Sequence, residues 1–131
     1  MIALAILFRA FNLYTHHAHN MCKGDTFFQD HEFFNELYSF ADESYDLVIE
    51  RYFGTTDESV DLNEIISQSA SLVSKMSDNY LKNSLILSQE SAKMIDEISK
   101  DATLSSGTIN MLQGISDKLE VFTYKIKRRL M

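Results

Sequence analysis

Proline is absent and glycine is scarce, at Gly24, Gly54, Gly107 and Gly114 only. With so few interruptions an all-helical reading follows. A single cysteine, Cys22, excludes an intrachain disulfide and fits a reducing, cytoplasmic compartment. Long hydrophobic runs are missing too. Residues 1–8 are apolar but too short to span a membrane, and Arg9 ends them without a basic leader or a small-residue cleavage site. They read as the first turns of a buried helix, with no membrane partner. Basic residues are outnumbered, 12 against 19 acidic, for a net charge of −7. That balance argues against a general nucleic-acid-binding surface and suits one that collects cations. No low-complexity linker and no internal repeat divides the chain.

What is present is enough apolar material, 45% of 131 residues, for one core and one domain, residues 1–131. Leu4, Leu7, Phe8, Phe11, Tyr14 and Ala18 recur at helical period up to about residue 22, and Gly24 stops that helix. A second helix runs from Thr26 to about 53 on Phe33, Leu37, Phe40, Ala41, Leu47, Val48 and Tyr52. Gly54 to Asp57 breaks it. Val60, Ile65, Ile66, Ala70 and Val73 mark a shorter segment from about 59 to 73. Two further helices follow, at about 78–101 and 108–129. Two helical hairpins joined by a long connection holding a short helix describe a ferritin-type four-helix bundle.

The chemistry sits at His19, His31, Asp46 and Glu50. Asp46 and Glu50 are one helical turn apart and can grip a single ion. His31 precedes Asp46 by fifteen positions, roughly 22 Å of helix, so the two cannot share an ion within one chain. Around the axis they differ by only about 60°. If two such helices pack antiparallel about a two-fold axis, the histidine end of one meets the carboxylate end of the other. The expectation is two identical sites per dimer. Taken singly, His31 reads as a surface or interface histidine, and Asp46 with Glu50 as a solvated acidic face; the joint spacing favours metal. Imidazole with carboxylate oxygen suits Fe, Mn or Zn, and ligand type alone does not choose among them.

Residues 19–51, HNMCKGDTFFQDHEFFNELYSFADESYDLVIER, resemble the ferroxidase segment of the Dps miniferritins. The matching positions are His19, Gly24, Phe27, His31, Asp46, Glu50 and Arg51, without a gap. Weaker likeness continues through DNYLK at 78–82 and DKLEVFTYKI at 117–126. The resemblance implies iron as the metal, bound between subunits, with hydrogen peroxide or oxygen as oxidant. It also implies protection against oxidative damage and a hollow shell of twelve subunits built from two-fold dimers. Asn20 stands where the family usually has Trp, and Asn35 where it often has Asp; Asn35 offers a carbonyl oxygen to a second ion but no charge. No Glu-x-x-His occurs, so the intrasubunit di-iron centre of larger ferritins has no ligands here.

The neighbours of these residues have plainer readings. His16 and His17 are polar helix residues beside the site, Cys22 a packed or semi-exposed thiol and not a ligand, and Asp25 and Asp30 turn and helix-start residues favoured by a helix N-terminus. Lys125, Lys127, Arg128 and Arg129 complement the negative end of the last helix. No lysine-rich segment precedes His19, so DNA binding through an N-terminal tail is not expected. Two alternative readings remain: a DNA-protecting protein, and a helical assembly protein of the same fold that stores no iron.

Overall fold

The computed structural model describes residues 1–131, as five helices and no strands: α1 (Ile2–Met21), α2 (Phe27–Thr55), α3 (Leu62–Ser74), α4 (Tyr80–Ile98) and α5 (Ser106–Leu130). The helix boundaries follow side-chain caps more closely than hydrophobic period. Asp61, Asn79 and Ser105 each accept a hydrogen bond from a backbone N–H of the first turn, and these contacts set the starts of α3, α4 and α5. The short third helix therefore begins at Leu62 instead of 59, and the last at Ser106 instead of 108. Helix α2 also runs through Gly54, because one glycine costs a helix only about 1 kcal/mol. The chain reverses between α1 and α2 at Gly24, whose φ of 92° is left-handed and open to glycine at no steric cost.

Helices α1 and α2 form an antiparallel hairpin, pairing Arg9 with Asp42, Asn12 with the Tyr38 carbonyl, and His19 with His31. Arg51 with Thr108 and Asp30 with Arg129 show that α5 is antiparallel to α2. Tyr14, late in α1, meets Tyr80 and Asn83 at the start of α4. Helices α2 and α4 therefore run the same way, and the connection between them travels the length of the molecule. Helix α3 lies within that connection against α1, where Ser69 donates to the Ile6 carbonyl at 3.5 Å.

This placement explains the burial pattern. Residues Leu4 to Phe8 are buried in succession because α2, α3 and α4 all cover α1. Phe40 meets Phe8 and Phe11 edge-on, with ring centroids 6.1 and 6.4 Å away. Two sequence expectations need correction. Leu47 is exposed, since it lines an open cleft between α2 and α5. Ile66 and Ala70 also face outward, because α3 packs on α1 alone and buries only the Ile65 and Ser69 side.

Candidate metal centre

The turn that ends α1 and begins α2 sets the site. Both His19 and His31 lie six positions from Asp25, on opposite sides of the reversal, so an antiparallel hairpin brings them face to face. Their rings stack with centroids 3.6 Å apart and planes 20° from parallel. Nδ1 of His19 is 2.7 Å from the His31 carbonyl oxygen, and Nδ1 of His31 is 2.8 Å from that of His19. A carbonyl only accepts, so each ring carries its hydrogen on Nδ1. In a neutral imidazole held this way Nε2 carries the lone pair, the tautomer a metal-ligating histidine requires.

Stacking also restricts how ions can be shared. A metal bound to imidazole lies in the ring plane, roughly 2.1 Å from nitrogen. Planes so nearly parallel and so far apart do not meet within that reach. As placed, the two rings would not share one ion through their Nε2 atoms. Asn35 follows His31 by one turn of α2, on the same side of the helix, and is half-buried.

Asp46 and Glu50 are exposed on α2, one turn apart, and neither joins any of the chain's ion pairs. Within one chain no group of three or more His, Cys, Asp or Glu side chains comes together to hold a metal. The structure thus joins His19 to His31 and leaves the carboxylate pair separate along α2.

Aromatic side chains brace the histidine pair, and the sequence reading did not include them as such. Phe27 stacks on His31 at 5.0 Å, and Tyr38 meets His19 edge-on at 5.3 Å. Tyr38 also lies flat against His16, 4.1 Å between centroids. Phe27 precedes His31 by one turn of α2, a spacing visible in the sequence, whereas Tyr38 reaches His16 and His19 across the hairpin from positions that are not equidistant from Asp25. Cys22 donates to the His19 carbonyl at 3.5 Å. Burial, then the charge of Asp30, pushes its thiol up from the ordinary range, which favours the protonated form of this half-buried group. Asp30 does more than open a helix. Its carboxylate is nearly buried and accepts from Nε and Nη2 of Arg129 at 3.2 and 3.1 Å, while Thr26 donates to it at 2.7 Å. Arg129 therefore ties the end of α5 to the start of α2, beyond any role at a helix dipole.

Neither protein-family models, curated proteins nor solved structures yield a match to this chain. No helix is long and apolar enough to cross a membrane.

Proposed function

We propose that this chain is a Dps-like miniferritin that takes Fe(II) as substrate between two-fold-related subunits. His19 and His31 of one copy and Asp46 and Glu50 of the other would hold the ions. The observation that carries this reading is the reciprocal Nδ1 contact, which engages Nδ1 of both rings and leaves Nε2 as the nitrogen available to a metal. The helix arrangement supports it: two hairpins, with a connection that crosses the molecule between α2 and α4, are what a ferritin-like plan would require. Two neighbouring Fe(II) ions suit hydrogen peroxide, because each gives one electron and together they cleave the O–O bond. The Fe(III) formed then hydrolyses, releasing protons and growing as mineral. The protein's part is to hold the ions adjacent and leave coordination positions open to the oxidant. Zn or Mn would occupy the same donors without that outcome.

The test is anaerobic Fe(II) titration of untagged full-length protein, with particle mass measured on the same sample. Tight binding by the oligomer and weak binding by dilute monomer are expected. Equal affinity in the two forms would defeat the shared site. A helical assembly protein without iron storage is the second reading, favoured by Asn35, an amide where the resembled family often carries an acid. Absence of iron uptake by an intact oligomer would select it.

A further inference from the structure

The two ends of the molecule differ sharply in charge. One end holds the C-terminus of α5 beside the start of α2, and residues 121–131 carry four Lys or Arg and no acid. Lys125 faces Glu36 at 3.8 Å and Arg129 is held by Asp30, but Lys127 and Arg128 are exposed and join no ion pair. Nearby, Tyr124 and Met131 are 64% and 91% exposed. At the opposite end, Asp57, Glu58, Asp61 and Glu64 lie in a stretch, residues 52–74, with no Lys, Arg or His. Leu62 and Ile66 stand exposed among them at 66% and 56%.

Helix dipoles account for part of the pattern. Asp61 caps α3 and Glu64 lies in its first turn, while Lys127 and Arg128 are in the last turn of α5. Dipoles do not account for Asp57 and Glu58 ahead of α3, nor for the bare apolar side chains at both ends. The ends are separated by α2, whose 29 residues span roughly 43 Å. That is several Debye lengths at physiological salt, so the charges do not neutralise each other within one chain.

We propose that these ends are the two halves of a contact between copies of this chain, the α5 end of one seated on the α2–α3 end of the next. Tyr124 and Met131 would cover Leu62 and Ile66, with Lys127 and Arg128 opposite Asp57 and Glu64. A second copy is favoured over a polyphosphate because Asp30, Glu32 and Glu36 flank the basic end, and because the complementary surface is present on every chain. Such a contact joins unlike surfaces, so it closes a ring or extends a chain. It uses none of the metal-site residues and does not rest on the metal reading.

The experiment is particle mass by analytical ultracentrifugation on the full chain. Lys127→Glu with Arg128→Glu, and separately Asp57→Lys with Glu64→Lys, should each raise the dissociation concentration by at least about tenfold. Carrying both reversals in one chain should restore the wild-type value. A mass that falls only to a stable dimer supports the proposal and leaves the two-fold metal contact standing. Unchanged mass in both single-end reversals, or no restoration in the combined variant, would overturn it. Should a reversal fail to fold by circular dichroism, Leu62→Ser and Tyr124→Ser report on the same contact, and wild-type mass in both would overturn it too. So would a duplex oligonucleotide that binds the α5 end while reversal of the acidic end leaves the mass unmoved.

Discussion

Single residues show how far polar groups are committed in this molecule. Tyr14 is buried, its hydroxyl donating to the Ser77 carbonyl at 2.7 Å and accepting from Asn83 at 3.0 Å. Burial, partly offset by the Asn83 hydrogen bond, raises its phenol above the ordinary tyrosine value. The folded state thus favours the neutral form, and this contribution is complete below about pH 10 and is lost as pH rises through the folded value. Tyr14→Phe should cost only about 1 kcal/mol at neutral pH, because Asn83 keeps the Ser77 carbonyl and hydroxyl as partners. The variant should also lose less stability than wild type between about pH 9 and 11. Urea unfolding across that range measures both effects. At the proposed metal site, the two carboxylates would balance one divalent ion, and a second ion beside it would meet repulsion that Asn35 cannot offset. One tight and one weak iron per site are expected. Asn35→Asp should tighten the second step, and anaerobic calorimetry showing two equally tight ions in the natural sequence would contradict this.

Elements were legible in the sequence where hydrophobic period was uninterrupted, as in α1, whose stripe from Leu4 to Ala18 is buried throughout. They were less legible where one side chain overrode the period. Asp61 and Ser105 moved helix starts by accepting a backbone hydrogen, and Leu47 fits a helical stripe yet faces the cleft beside α5. Contacts between elements distant in sequence, such as Arg129 with Asp30, leave no periodic trace. That clamp has a testable cost. Arg129→Ala removes the ionic partner of a nearly buried carboxylate and leaves it only Thr26. Losing a fully buried partner costs roughly 3 to 5 kcal/mol, but the Arg129 side chain is 42% exposed, so solvent screening reduces the figure. A loss of about 1 to 2 kcal/mol is expected. Hydrogen exchange should locate it at the α1–α2 turn and the last turn of α5, and loss confined to another region would exclude the clamp as the cause.

At the scale of the whole molecule, half of the candidate site is assembled by the fold of one chain, and the proposed function draws the other half from a second copy. The hairpin reversal brings His19 to His31, a pairing the sequence contained in their equal distance from Asp25. No turn within the chain brings Asp46 and Glu50 to them. Spacing along α2 shows that the two halves are apart, and in the proposed function a two-fold partner would close the gap. Such sharing has a consequence that no single-chain site reproduces. In a mixed dimer of His31→Ala and Asp46→Ala subunits, one site keeps every ligand while the other loses both substituted groups. Homodimers of either variant keep no complete site. His31→Ala should fold, since His19 donates to the backbone carbonyl of residue 31, which the substitution retains. Refolding the two variants together should therefore restore iron oxidation to a substantial fraction of wild type, while each alone stays inactive. The measurement is initial Fe(II) oxidation after peroxide addition, with mixed dimers verified by native mass spectrometry. Verified mixed dimers as inactive as their parents would show that His31 and Asp46 do not serve a common site.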